Sequence, residues 1–239
     1  MTTANHWLAT TGIIESIEAQ DTTHLAGYFF GTPLAFAKSS AVPGLAATPI
    51  VSYTSWAQLK TDLAANPGLY PAGTWLMYGL EKTTASPASE KADPLTALAG
   101  FADTAHQHNL KTMLVPGVDL VYVSPSTVHI KPGQTAAQAY ISNGGGIPAA
   151  GAESDVFLVQ NQGDQADTAT YAWLLSQAGT QVEGVLMGGL TTDRGDSANV
   201  IYAAWQAGAP LCKGFWMNST AATLSVCIAA LNKIRASGG

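Results

Sequence analysis

From residue 48 onward the sequence repeats one pattern: a short apolar run, a loop, then an amphipathic helix. This alternation constrains the fold more than any other feature. Residues 48–53 read as a strand. Ser55-Trp56-Ala57-Gln58 after it is a capping-box signature, opening a helix with Trp56, Leu59 and Leu63 on one face. Residues 74–78 form the next apolar run. Its helix begins at Asp93-Pro94, an N-cap followed by proline at the first helical position, and carries Leu95, Leu98, Phe101 and Ala105 on one side. Residues 111–115, stopped by Pro116-Gly117, precede a helix over 134–141. Residues 155–160 precede a helix with Tyr171, Leu174 and Leu175 that Gly179 ends. Residues 182–187 precede a helix capped by Asp196, with Val200, Ile201, Ala204 and Trp205 inside. Residues 212–217 precede one with Leu224, Ile228, Leu231 and Ile234 on its inner face.

Six such units in a row predict parallel strands joined by right-handed crossovers, and so a single α/β domain over residues 1–239, a (β/α)8 barrel of the TIM type. The N-terminal part is less regular. It reads as a helix from His6 to Glu18 and a seventh strand over 25–30. An eighth strand falls either at 120–123 or inside the Pro/Ala-rich stretch 33–44, which otherwise reads as loop. The rival is a doubly wound open sheet. Its usual phosphate signature, a Gly-rich turn between first strand and first helix, is missing, and Gly144-Gly145-Gly146 follows a helix instead.

Only 11% of the residues are charged, against about 25% in an ordinary soluble domain, so Thr, Ser, Asn, Gln, Ala and Gly must make much of the surface. The net charge of −6 and the scattered basic residues argue against nucleic acid as a partner. No run reaches the roughly 18 apolar residues of a membrane span. The opening Met1-Thr2-Thr3-Ala4-Asn5-His6-Trp7 has no basic segment leading into an apolar one. The expectation is a cytoplasmic protein, or a secreted one whose leader has been removed. Cys212 and Cys227 read as two buried thiols, a disulfide being open to them only in an oxidising compartment. No histidine stands at metal-ligand spacing from them, and no flavin, nicotinamide or pyridoxal motif occurs. The expectation is no metal and no cofactor.

In a barrel of this kind the site lies where the strands end. Reading just past each run gives Tyr53, then Tyr78 and Glu81, Asp119, Gln160-Asn161-Gln162, Met187, Asp193-Arg194, and Trp216 with Asn218. Aromatic rings and amides combine apolar faces with donors and acceptors, as a site for a sugar or a flat small molecule requires. Tyr53, Tyr78, Gln160, Asn161, Gln162, Met187, Trp216 and Asn218 are therefore the candidate substrate-binding residues. Glu81 and Asp119 follow adjacent strands and are the candidate catalytic pair. Two carboxyl groups on one site can act as general acid and as base or nucleophile, and one set among aromatic rings can donate a proton near neutral pH. The bland alternatives are that Glu81 bridges locally beside Lys82 and that Asp119 is a turn residue. Three consecutive amides suit neither packing nor a turn, and alternation sets Gln160 and Gln162 opposite to Asn161. Asp193, Arg194 and Asp196 read as a local ion pair and a helix cap. His106 and His108 fall at a helix end on the opposite face of the barrel, where positive charge suits the helix dipole.

Tyr78-Gly79-Leu80-Glu81, followed by Ser86-Pro87, Glu90 and Asp93-Pro94, resembles a Tyr-Asp-x-Glu, Thr-Pro-x-x-Glu, Asp-Pro pattern of largely uncharacterised barrel proteins from actinobacteria. Val159-Gln160-Asn161-Gln162, Gly188-Gly189-Leu190-Thr191-Thr192 and Gly214-Phe215-Trp216-Met217-Asn218 fit it too, so the resemblance spans residues 74–218. It implies that Glu81, Gln160, Gln162 and Asn218 line one pocket. This chain has Gly79 where the pattern has Asp, so an acid is absent here.

Three functions remain open at this point. One is a carbohydrate-active hydrolase with Glu81 as acid and Asp119 as nucleophile or base. Another is a cofactor-free cyclase, isomerase or lyase acting on an apolar metabolite of a biosynthetic pathway, favoured by the low charge and by Met187, Trp216 and Tyr78. The third is a ligand-binding barrel without catalysis, for which the lost acid at Gly79 argues. Fold alone does not rank them.

Overall fold

Eight parallel strands, hydrogen-bonded in sequence order, close into a barrel in the computed structural model, which describes residues 6–125 and 127–238. The first five residues of the opening heptapeptide lie outside the described residues. In chain order the elements are β1 (His6–Thr10), α1 (Thr11–Gln20), α2 (Leu25–Phe30), β2 (Phe36–Lys38), β3 (Thr48–Tyr53), α3 (Trp56–Ala65) and β4 (Trp75–Tyr78). Then come α4 (Ala88–Ala92), α5 (Pro94–Gln107), β5 (Lys111–Leu114), α6 (Ala136–Ser142), α7 (Ile147–Ala150), β6 (Val156–Val159) and α8 (Thr168–Gly179). β7 (Val185–Thr191), α9 (Ala198–Gly208), β8 (Gly214–Asn218) and α10 (Leu224–Ala236) complete the chain. The fold is the (β/α)8 barrel, and the open-sheet alternative is excluded by the pairing of β1 with β8.

The N-terminal expectations need correction. His6–Thr10, read as the start of a helix, is the first strand, and the helix begins only at Thr11. Leu25–Phe30, read as a strand for its aromatic run, is a six-residue helix that buries Leu25, Ala26, Phe29 and Phe30. The missing strand is Phe36–Lys38, inside the stretch read as loop; residues 120–123 instead belong to a 3-10 turn, Val118–Tyr122.

Local capping follows the sequence closely but not everywhere. Asp93 accepts from Thr96 N ahead of Pro94, as its position demands. Ser55 accepts from Gln58 N, but the reciprocal half of the capping box is absent, because the Gln58 amide turns to Asp62 at 2.6 Å. Glu90, from α4, caps the following amides instead. Its carboxylate receives Trp56 N, Ala57 N and Ser55 Oγ at 2.9–3.0 Å, a negative charge set on the N-terminal amides of α3. The cap of α9 is Ser197, whose hydroxyl accepts from Val200 N. Asp196 instead receives the Gln165 amide at 2.7 Å, and no ion pair joins Asp193 to Arg194 among the described residues.

The chain divides into two compact units. One comprises the residues up to Ile50, Asn161–Leu175 and those from Met187 on; the other comprises Val51–Gln160 and Ser176–Leu186. At the strand starts of the second unit, Asp155 binds Lys111 Nζ at 2.7 Å, Thr112 N at 2.9 Å and His106 Nε2 at 3.0 Å. Burial works to raise the Asp155 pKa, but Lys111, Thr112 and His106 outweigh it and hold the group below its ordinary value. Cys212 and Cys227 are free, buried thiols, both pushed up to about 12 by burial. No helix of the described residues is long and apolar enough to cross a membrane, and no group of three or more His, Cys, Asp or Glu among them could hold a metal ion.

Candidate functional site

In the unit built from Val51–Gln160 and Ser176–Leu186, strand register fixes which residues face the barrel axis. Tyr78 pairs with Leu114, and Leu114 with Phe157, all on one face of the sheet. Tyr78 stacks on Phe101 of α5 with centroids 4.6 Å apart and planes 10° from parallel, so that face belongs to the helices. Alternation then turns Met77, Met113 and Val156 to the axis. The ladder continues past the strand ends. Val115 N donates to Tyr78 O, Gly117 N to Leu80 O, and Gly117 bridges to Gln160. Counted on by twos along this continued ladder, Gly79 and Glu81, Val115 and Gly117, and Leu158 and Gln160 share the axial face.

Glu81 and Gln160 meet there. The Gln160 amide donates to Glu81 Oε1 and to Val115 O, both at 2.9 Å. The Glu81 backbone is pinned by its own N–H, which donates to the buried Ser86 hydroxyl at 3.0 Å. Glu81 is half-buried, and its second carboxylate oxygen has no partner among the described residues. Asp119 is arranged alike. It is half-buried in the 3-10 turn after β5, its Oδ1 receives Lys82 N at 3.2 Å, and its Oδ2 is free of protein partners among the described residues. The space that a Cβ on Gly117 would need is already taken by the Asp119 carboxylate. Gly79 is roomier. A Cβ there would lie 3.8 Å from Glu81 Oε1 and 4.0 Å from Tyr53 O.

Two aromatic candidates of this unit are placed elsewhere. Tyr78 is fully buried against Phe101 and donates its hydroxyl to Glu90 Oε2 at 2.6 Å; burial, then Glu90, drives its pKa far up. Tyr53 also turns to the helix layer, its hydroxyl engaged with Asp62 at 2.9 Å and Tyr70 at 2.6 Å. The strand's alternation sets both rings opposite to Glu81, so neither presents a surface to a ligand beside it. Glu90, which entered the sequence reading only through the resemblance, is a helix-capping carboxylate.

The unit containing β1, β2, β7 and β8 has its own strand-end cluster. Trp7 and Phe215 are register partners, and Trp7 packs edge-on against Phe29 of α2 at 4.7 Å, which marks their face as the helix side. The axial face then carries Leu8, Thr10, Phe36, Lys38, Gly189, Thr191, Trp216 and Asn218. Met187, partnered with Gly214, lies fully buried below them. Asn218 donates to Asp193 Oδ2 at 3.2 Å and weakly to Thr191 Oγ1 at 3.5 Å. The Gln162 side chain covers Gly189, occupying the spot a Cβ would take, only 2.5 Å away. Asn161 is fully buried. Its Oδ1 receives Gly189 N at 2.9 Å and its Nδ2 points to Tyr171 O of α8, so it ties loop to helix and is not a ligand contact. Lys38 was not among the sequence candidates, because the strand that carries it is only three residues long and went unrecognised.

The sequence matches no protein-family model and no curated protein. Among solved structures, the chain is similar to the carboxyl transferase domain from Rhizobium etli pyruvate carboxylase with 3-bromopyruvate. Identity is 7% and the TM-score 0.45, over 96% of this chain and 38% of that one. The chain thus spans well under half the length of that structure.

Proposed function

We propose that this barrel is a small-molecule enzyme of the acid–base type, a hydrolase of glycosidic bonds, with Glu81 and Asp119 as its two carboxyl groups. The observation that carries the reading is the clamp on Glu81: one carboxylate oxygen is fixed by Gln160 at 2.9 Å and the other is left for a ligand. Asp119 repeats the arrangement through Lys82 N. The buried structural carboxylate Glu90 looks different. Glu90 is 6% exposed and has both oxygens engaged by protein donors. A group held by one oxygen is fixed in place while its other oxygen stays open to a reacting partner, as proton transfer at a fixed point in space requires.

In this reading Glu81 delivers its proton to the glycosidic oxygen as the bond to the anomeric carbon breaks. Asp119 either attacks that carbon or takes a proton from the water that does. Separations of about 5–5.5 Å and about 6.5–9.5 Å between the two carboxyl groups correspond to the retaining and inverting outcomes. The resemblance to the actinobacterial barrel pattern agrees with Glu81 and Gln160 as partners in one site. The test is a panel of aryl glycosides turned over by the wild type, Glu81→Gln and Asp119→Asn. Each variant should lose about a hundredfold or more in kcat. Equal turnover by wild type and Glu81→Gln would remove the reading.

A further inference from the structure

Lys38 ends β2 with an ammonium group that has neither a hydrogen bond nor an ion pair among the described residues. Register sets it on the axial face together with Trp216, and its Nζ lies 5.7 Å from the Trp216 ring centroid. An indole face attracts a cation but does not neutralise it. Asp193, the acid that the Asn218 amide holds in this unit, is bound to Asn218 Nδ2 and to Thr223 Oγ1 rather than to Lys38.

Two further donors of this cluster lack an acceptor among the described residues. Trp216 is only 7% exposed, and its buried indole N–H has no partner among the described residues. Buried N–H groups in native proteins are almost always paired, so an orphan beside an unpaired cation asks for an explanation. The Gln162 amide, lying over Gly189, the register partner of Trp216, makes no side-chain hydrogen bond among the described residues either. The ammonium and the indole can only donate. Register and the position of Gln162 over Gly189 set all three on the axial side of this unit's strands, the side on which barrel enzymes bind their ligands toward the strand ends.

We propose that Lys38, Trp216 and Gln162 form a subsite for the carboxylate of a small organic acid. A carboxylate supplies what the cluster lacks: one negative charge against one ammonium, and two oxygens able to accept from several donors. A neutral hydroxyl would leave the ammonium without a counter-charge. A phosphate dianion would carry more charge than the ammonium of Lys38 balances. The inference does not rest on the acid–base reading of Glu81, and its test measures equilibrium binding, so either can fail without the other.

The experiment titrates the intact chain with benzoate and D-glucuronate, each beside its uncharged counterpart, benzamide or D-glucose, and with inorganic phosphate. Binding is followed by calorimetry and by tryptophan fluorescence. At least one carboxylate should bind saturably and about tenfold more tightly than its counterpart. Lys38→Met, which keeps an apolar stem of similar length, should abolish that preference. Lys38→Arg should retain most of it, and Trp216→Phe should weaken it while leaving the melting temperature close to the wild type. The proposal is overturned if no carboxylate outbinds its counterpart, if phosphate binds better than both acids, or if Lys38→Met binds as the wild type does.

Discussion

Gln160 holds Glu81 with an amide that is itself fixed, since the nitrogen that donates to Glu81 Oε1 also donates to Val115 O, both at 2.9 Å. The carboxylate is therefore tied through one side chain to the backbone just past β5. Gln160→Leu keeps the size of the side chain and removes both donors. In the acid–base reading it should lower kcat about ten- to a hundredfold with a smaller change in KM, because orientation at the reacting bond is what is lost. Steady-state kinetics on the best aryl glycoside checks this. A change confined to KM would mean that Gln160 binds substrate rather than positions Glu81.

Glu90 should behave in the opposite way. It gathers Ser55 Oγ, Trp56 N, Ala57 N and the Tyr78 hydroxyl, four donors on a carboxylate that is nearly closed off from solvent. Glu90→Gln replaces one acceptor oxygen with a donor facing donors and removes the charge from the start of α3. A loss of about 2–4 kcal/mol in urea unfolding is expected, and Tyr78→Phe should cost about 1–2 kcal/mol. Neither variant should abolish turnover once folded.

These contrasts also show what was legible from sequence. The apolar runs that became β4, β5, β6 and β8 were readable because both faces of each strand are buried, Val156–Val159 entirely so. β1 was not, because His6–Thr10 runs into α1 without a breaker, and Thr10 makes no side-chain cap to mark the join. β2 has three residues, too few for any period, and Lys38 was lost with it. Gln160 stood out because an amide at the end of a buried strand has no packing reason to be there. Tyr53 and Tyr78 misled for a related reason. Position past a strand was legible, but which face the ring takes depends on register, and register is set by partners distant in sequence.

Asp155 makes the stability of the fold depend on pH in the acid range. Its folded-state pKa is held below the ordinary value of 3.8, so its bonds to Lys111, Thr112 N and His106 stabilise the protein above that value. The contribution is lost as pH falls through the folded-state value, where the native carboxylate finally takes up a proton. Asp155→Asn should be less stable than the wild type at pH 7, by about 1–2 kcal/mol. The difference between the two should shrink below pH 3.8. Urea titrations across the acid range measure it; a constant gap would show that the carboxylate's charge plays no part.

Two glycines of the same unit predict opposite responses to one methyl group. At Gly79 a Cβ would sit at ordinary contact distance, 3.8 Å from Glu81 Oε1, and the backbone there has no positive φ. Gly79→Ala should therefore fold normally and gain up to about 1 kcal/mol through the reduced freedom of the unfolded chain. At Gly184, just before β7, a Cβ would run into the carbonyl oxygen of Ser154 and lie 2.7 Å from that of Asp155. These are backbone atoms, fixed where Val185 N donates to Asp155 O at 2.9 Å, so the clash cannot be relieved by a rotamer change. Gly184→Ala should cost about 3 kcal/mol or more, or prevent folding. Denaturant midpoints of the two variants, purified side by side, decide the matter. If Gly79→Ala proved as damaging as Gly184→Ala, the axial face beside Glu81 would be more tightly closed than its geometry allows. Gly79 would then be required for packing and would not be a vacant position.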